Sequence, residues 1–145
     1  MAQKIDLFDA EYRWFIEMKN NMRILVGIDG SDHSLWALLE AINIVREFSG
    51  FLKVITVYRQ GKKEEAEKIR QKTRQYLEKE KIDYELTTIL GSNPSRALVD
   101  TARNENFDLI VVGSRGLGSA ASFLLGSISK QVVTKAHCDV LVIKK

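Results

Sequence analysis

The stretch Gly113-Ser114-Arg115-Gly116, followed by nine residues and then by Gly126-Ser127, decides the fold of this chain. An apolar run at residues 109–112 precedes it and is typical of a buried strand. Apolar residues at helical spacing follow it, from Ile128 to Ala136. Glycine lets backbone N–H groups approach a ligand closely, and a helix N-terminus attracts anions. The spacing therefore predicts a phosphate site between a strand and a helix.

Outward from this stretch, the chain alternates between strands and helices. Apolar or β-branched runs predict five strands, at residues 24–28, 52–58, 82–90, 109–112 and 140–143. Helical spacing fills the intervals, with Asp32 or Ser34 as the cap of the first helix and Asn93-Pro94 as the start of the third. This order predicts right-handed crossovers and a parallel α/β sheet covered on both faces. Ligands of such sheets bind beyond the carboxyl ends of the strands, where Asp29 and the Gly113 segment both lie.

Composition narrows the class of protein. The 145 residues fit one domain, and 22 basic and 19 acidic residues are mixed along the chain to give a net charge of +3. This pattern is unlike the basic stripe of a nucleic-acid-binding protein, so we expect no nucleic acid partner. No apolar run reaches the ~20 residues of a membrane span, and the first residues lack the apolar core of a secretory signal. We expect a cytoplasmic protein in which Cys138 is a buried free thiol.

The first 20 residues do not fit the alternating unit. Phe8, Tyr12, Phe15 and Ile16 form one apolar face of a short predicted helix. This helix can pack on the domain or across a dimer, or it can dock on another protein partner. The sequence thus predicts an N-terminal extension at residues 1–20 and one domain at residues 21–145.

Four stretches of residues 22–145 resemble the universal stress protein family. They are 26–31 (VGIDGS), 108–116 (DLIVVGSRG), Gly126-Ser127 and 139–143 (DVLVI). The resemblance implies a flavodoxin-like or adenine-nucleotide α-hydrolase-like fold, with a five-stranded parallel sheet in the order 3-2-1-4-5. It also implies a homodimer through the last strand. The intact glycine spacing followed by serine is similar to that of the branch of the family that binds ATP.

The resemblance also implies a site for an adenine nucleotide with Mg2+. Asp29 matches the aspartate on the nucleoside side, although it can equally cap its own loop, and Val57 falls where backbone groups hold adenine. Gly113 leaves room for a ribose or phosphate, and Gly116 allows a turn with positive φ. Ser127 can cap the last helix or donate to phosphate. The expected set is Asp29, Val57, Val112, Gly113, Arg115, Gly116, Gly126, Ser127, Ile128 and Ser129.

The chemistry of the site leaves three functions open. The chain has neither a Gly-x4-Gly-Lys-Ser/Thr loop nor a Gly-x-Ser-x-Gly turn, and no residue is an obvious base for activating water. His137 beside Cys138 offers too few ligands for zinc. We therefore expect a switch or sensor that holds ATP without catalysis. A slow ATPase or nucleotidyl-transfer enzyme, and a ligand-free dimeric scaffold, are the alternatives. Residues 117–125 are unusually apolar for a loop and can pack on the domain or cover a partner.

Overall fold

Five strands alternate with four helices along residues 20–115 and 125–144, which are the residues that the computed structural model describes. The elements are β1 (Arg23–Gly27), α1 (Asp32–Glu47), β2 (Phe51–Tyr58), α2 (Lys63–Leu77), β3 (Asp83–Leu90), α3 (Pro94–Asn104), β4 (Leu109–Gly113), α4 (Ser127–Lys135) and β5 (Asp139–Ile143). The predicted extension at residues 1–20 lies outside this description except for Asn20, as does the 117–125 segment except for Leu125. These two predictions therefore stay predictions.

The strands form one sheet in the order β3-β2-β1-β4-β5, and every neighbouring pair is parallel. The predicted order 3-2-1-4-5 is confirmed. The chain moves from β1 toward one edge through β2 and β3, and then crosses to the other side of β1 with β4. The order of the strands thus reverses between β1 and β4, and a crevice is expected there beyond the carboxyl ends of these strands.

Two hydrophobic clusters cover the two faces of the sheet. Ile24 and Val26 of β1 pack with Leu38 of α1 and Leu77 of α2, whereas Leu25, between them, packs with residues of α3 and α4. This alternation follows from the period of two along a strand, which turns successive side chains to opposite faces. Each large aliphatic side chain buried here contributes about 1.5–3 kcal/mol, so the three layers are held chiefly by these contacts.

Local sequence signals set where the helices begin. Asn93 caps α3, since its Oδ1 accepts a hydrogen bond from the Arg96 amide at 3.0 Å, and Pro94 occupies the first turn as predicted. The cap of α1 is Ser31, whose Oγ accepts from the Ser34 amide at 3.2 Å. The prediction of Asp32 or Ser34 was therefore wrong, because the extended backbone of a cap falls at Ser31, one residue earlier (φ −75°, ψ 158°).

In the described part of the chain, no helix is both long enough and apolar enough to cross a bilayer.

One charged side chain is buried inside the sheet. Lys53 lies on β2, and its side chain is 8% exposed. Its Nζ lies 2.9 Å from Glu105 Oε2 and 3.2 Å from Glu85 Oε1. The two carboxylates come from the residue after α3 and from the neighbouring strand β3, so a buried cation ties three elements together.

The pair of carboxylates keeps Lys53 charged. Burial disfavours its ammonium form, but the hydrogen bonds and charges of Glu105 and Glu85 outweigh burial and raise the pKa of Lys53 above 10.5. Partial burial opposes the charged form of Glu85 as well, yet hydrogen bonds from Thr87 and Lys53 lower the pKa of Glu85 below 4.5. The ion pair therefore stabilises the fold between these values. Its contribution is lost as the pH falls through the lowered pKa of Glu85 or rises through the raised pKa of Lys53.

Removing both carboxylates is expected to destabilise the protein more than removing the lysine. The double variant Glu85→Gln/Glu105→Gln leaves the ammonium of Lys53 without a counter-charge, and we expect the free energy of unfolding to fall by about 1–2 kcal/mol, because water screens the two half-exposed carboxylates. Lys53→Met leaves two partly exposed carboxylates in water, so its change should stay below about 1 kcal/mol. Urea unfolding near neutral pH measures both. A larger loss for Lys53→Met than for the double variant would contradict this account.

Candidate functional site

A cavity of about 330 Å³ opens beyond the carboxyl ends of β1 and β4, where the strand order reverses. Its walls come from the ends of β1, β2 and β4, from the first turns of α3 and α4, and from the loop that leads to α1. The volume falls within the range of about 300–1,000 Å³ that is typical of small-molecule sites. The described lining residues are Gly27, Ile28, Asp29, Ser34, Ile55, Val57, Pro94, Leu98, Val112, Gly113, Arg115, Gly126, Ser127, Ile128 and Ser129.

Every predicted site residue that the structure describes lines this cavity. Gly116, the remaining member of the predicted set, lies outside the described residues. The described members are Asp29, Val57, Val112, Gly113, Arg115, Gly126, Ser127, Ile128 and Ser129. The structure thus brings together residues from the β1–α1 loop, β2, the end of β4 and the start of α4 that are up to about a hundred positions apart in the sequence.

Sequence reasoning missed part of the wall. Gly27 and Ile28 directly precede Asp29 in the sequence, so their place at the end of β1 could have predicted that they line the cavity. Pro94 begins α3, and Leu98 lies on the buried face of the same helix. Their place in the cavity depends on the packing of α3 over β1, where a Cβ on Gly27 would lie 2.9 Å from Leu98 Cδ1. No local pattern in the sequence carries that contact.

Asp29 is fixed on the loop between β1 and α1. Its Oδ1 accepts hydrogen bonds from the amide of Ser31 at 3.0 Å and from the Oγ hydroxyl of the same residue at 2.6 Å. The backbone amide of Asp29 donates to Ser34 Oγ at 3.3 Å. The carboxylate therefore shapes its own loop and also lines the cavity, whereas its role on the nucleoside side of a ligand stays a prediction.

The opposite wall is the start of α4. Gly126 is the cap residue, in an extended conformation with no side-chain cap, and Ser127 is the exposed first residue of the helix. Ser127 therefore does not cap α4, which leaves its second predicted role, donation to a ligand. Because the first amides of a helix lack partners within it, this end presents backbone donors and partial positive charge toward the cavity.

A carbonyl oxygen at the exit of β4 holds α4 in this position. Ser114 O accepts a hydrogen bond from the Gly126 amide at 2.6 Å and another from Ser129 Oγ at 3.0 Å. Ser129 is 2% exposed, and its Oγ also lies 3.0 Å from Gly126 O. The hydroxyl hydrogen of Ser129 is thus directed into the protein, and we expect Ser129 to support the site rather than donate to phosphate.

Gly113 is required by packing as well as by the cavity. A Cβ at this position would lie 2.6 Å from the backbone oxygen of His33 and 2.9 Å from its Cβ. Any other residue would push α1 away from the end of β4, since backbone atoms cannot move aside as a flexible side chain can. The open space predicted for a ribose or phosphate at Gly113 is therefore taken up in part by the first turn of α1.

Two other reactive side chains, Cys138 and His137, lie outside the cavity lining. Burial raises the pKa of the half-buried Cys138 thiol, which keeps it protonated and agrees with an inert free cysteine. His137 lies about 3.1 Å from Arg103 Nη2. Among residues 20–115 and 125–144, no group of three or more His, Cys, Asp or Glu side chains is placed to hold a metal ion.

Fold and site together define a parallel α/β domain with a small-molecule cavity at the point where the strand order reverses. The model of the universal stress protein family matches residues 20–144, and the chain belongs to that family. A universal stress protein of Methanocaldococcus jannaschii is 33% identical over 140 residues, which cover 85% of this chain and 82% of the relative.

Solved structures of the family share the fold. The universal stress protein UspA from Lactobacillus plantarum superposes with a TM-score of 0.79 at 24% identity, covering 86% of this chain and 99% of that one. A universal stress protein solved in complex with cAMP has a TM-score of 0.73 at 31% identity and covers 86% and 98% of the two chains. The cavity described above thus belongs to a family in which an adenine nucleotide has been found bound to at least one member.

We expect removal of the Ser129 hydroxyl to destabilise the protein. Ser129→Ala removes a buried hydrogen bond to Ser114 O and should lower the free energy of unfolding by about 1–2 kcal/mol. Thr134→Ala is the matched control in the same helix, because its exposed hydroxyl donates only to Lys130 O and should cost less than about 0.5 kcal/mol. Urea denaturation measures the free energy of unfolding of both variants. Equal decreases would show that the hydrogen bond to Ser114 O stabilises the protein no more than an exposed one does.

Proposed function

We propose that this protein binds ATP in the cavity beyond β1 and β4 and acts as a nucleotide-dependent switch or sensor in the stress response. The observation that carries the proposal is the convergence of the predicted residues with the N-terminus of α4. Asp29 and Val57 stand on the β1–β2 side, and Gly126 and Ser127 on the α4 side. Such a cavity offers an apolar wall for a base and backbone donors for phosphates.

The proposed arrangement runs from the β2 wall to α4. Adenine lies against Val57 and Ile55, where strand backbone groups are available, and the ribose lies near Asp29. The phosphates lie at Gly126, Ser127 and the first turn of α4, with Gly116 as a further proposed contact and Arg115 as the nearby cation. A helix N-terminus with glycine at its cap lets phosphate oxygens reach the amides without a side chain in the way.

Magnesium is proposed to arrive with the phosphates. The described residues offer no cluster of carboxylate, histidine and cysteine ligands, so phosphate oxygens and water would hold the ion. The ion would neutralise phosphate charge, and Arg115 at the cavity wall would add to that effect.

Holding the nucleotide fits the site better than cleaving it. Among the described lining residues, Asp29 alone carries a carboxylate, and its Oδ1 accepts two hydrogen bonds from Ser31. The Oδ1 atom of Asp29 is thus engaged by its own loop and is not placed to act as a base that activates water. We therefore propose that bound ATP changes the surface offered to a protein partner.

Calorimetric titration with ATP and Mg2+ tests the proposal, and we expect binding by the full chain. Gly126→Val places a branched side chain over the α4 amides and should weaken binding at least tenfold, a loss of about 1.4 kcal/mol. Thr134→Val is the control, since it places the same side chain at an exposed position of α4 outside the cavity lining. If the wild-type protein gave no heat of binding, the proposal would be overturned. If a single-turnover experiment showed rapid release of ADP, the protein would be an ATPase instead.

We also propose a homodimer through β5, the assembly that the resemblance implies. This strand pairs with β4 at the edge of the sheet, and the apolar residues Val140 to Ile143 are all only half-buried. Sedimentation should give twice the mass of one chain at micromolar concentration. Leu141→Lys, which places a charge in the proposed interface, should shift the mass toward one chain. A wild-type protein that sediments as a monomer would rule the dimer out.

A further inference from the structure

We propose that His33 is a positioning residue that holds Arg115 at the cavity wall while it is neutral, and that protonation of His33 strengthens the binding of a phosphate-bearing ligand. This inference rests on the proposed nucleotide site and adds its regulation by pH. It begins with the contacts of one imidazole ring, which the function proposed above does not use.

The His33 ring is placed between α1 and the exit of β4. Its Nδ1 lies 3.4 Å from Ser114 Oγ, and its Nε2 lies 3.3 Å from Arg115 Nη2. The edge of Trp36, one turn along α1, supports the ring at a centroid distance of 5.0 Å. The backbone of His33 is packed so closely on Gly113 that no Cβ fits between them. The ring therefore has a fixed position relative to Arg115.

The contact with Arg115 selects one tautomer of the neutral ring. A guanidinium group only donates hydrogen bonds, so Nε2 must accept from Arg115 Nη2. The ring hydrogen then sits on Nδ1 and points to Ser114 Oγ, which can accept it. The carbonyl oxygen of Ser114 anchors α4. The His33 ring therefore contacts both the residue that supports the proposed phosphate site and Arg115, the cation beside that site.

Protonation reverses the interaction with Arg115. Both ring nitrogens of a histidinium donate, so Nε2 no longer accepts from Arg115, and two positive charges about 3.3 Å apart repel each other. Arg115 is then released from the ring while it still belongs to the cavity wall. A phosphate group relieves this repulsion by pairing with both cations. Ligand binding and proton uptake at His33 are therefore expected to favour each other.

The charged groups around the ring support this direction. Arg115 faces it from the exit of β4, and Asp32 and Asp29 lie on its own helix and on the preceding loop. Asp29 Oδ1 is hydrogen-bonded to Ser31. Residues 116–124 contain no ionisable side chain, so the sequence adds no further charge between Arg115 and α4.

The tautomer can be tested without any nucleotide. The chain has two histidines, which makes their ¹⁵N ring signals simple to assign by substitution. The hydrogen of the neutral His33 ring should lie on Nδ1 in a spectrum recorded at about pH 8. His137 is the internal reference, because Arg103 Nη2 lies near both of its ring nitrogens and selects neither. An Nε2–H form of His33 would overturn the inference even if variants of His33 failed to fold.

The effect on binding is tested by titration with ATP and excess Mg2+ at about pH 5.5 and about pH 8, on either side of the histidine value. The ligand itself titrates in this range, so the readout is a comparison with His33→Gln, whose amide oxygen can accept from Arg115 but does not titrate. Affinity for ATP should increase from the higher to the lower pH by a factor that is at least about five times larger in the wild type than in His33→Gln. This ratio corresponds to about 1 kcal/mol.

The outcomes separate this inference from the proposed function. Equal pH dependence in the wild type and His33→Gln would refute the role of His33 and leave the nucleotide site in place. Failure of the wild type to bind ATP at both pH values would overturn the proposed function, and with it the linkage. Greater affinity of the wild type at the higher pH, relative to the variant, would show that the sign is wrong.

Discussion

The carbonyl oxygen of Ser114 joins the parts of this structure that form its cavity. It accepts hydrogen bonds from the Gly126 amide and the Ser129 hydroxyl, while the Ser114 amide donates to Ile143 O at 2.8 Å. One residue thus connects the end of β4, the edge strand β5 and the first turn of α4. The helix end faces the ends of the strands because of these bonds. Together with the packing of Val132 of α4 against the sheet, they fix the donors of α4 relative to Asp29 across the cavity.

The end of β4 also packs closely against the first turn of α1. The backbone of His33 fills the place of a Gly113 side chain, so α1 begins directly against the end of β4. The same contact brings the His33 ring to Ser114 and Arg115. A glycine that the sequence suggested for ligand access thus also serves helix packing. The two uses are compatible, because the residue has one face toward α1 and also lines the cavity.

Much of the fold and the site could be predicted because they depend on periodicity and on topology. Alternating strands and helices place the carboxyl ends of all strands at one edge of the sheet, where Asp29 and Gly113 both lie. The family resemblance supplied the strand order that makes β1 and β4 neighbours. The burial of Lys53 could not be predicted, because its two partners lie on a neighbouring strand and beyond α3. The inward bond of Ser129 and the place of Leu98 also depend on tertiary contacts that no local pattern contains.

The junction at Ser114 has a consequence for the evolution and engineering of the chain. The segment that leaves the sheet after Ser114 returns to the same carbonyl oxygen at Gly126, so both of its ends are anchored at one point. Lengthening a closed loop costs little, about 0.6 kcal/mol for each doubling in a flexible chain. A change in the number of residues between these two anchors would therefore leave the register of the sheet unchanged, because Ser114 and Gly126 can stay joined whatever the length of sequence between them.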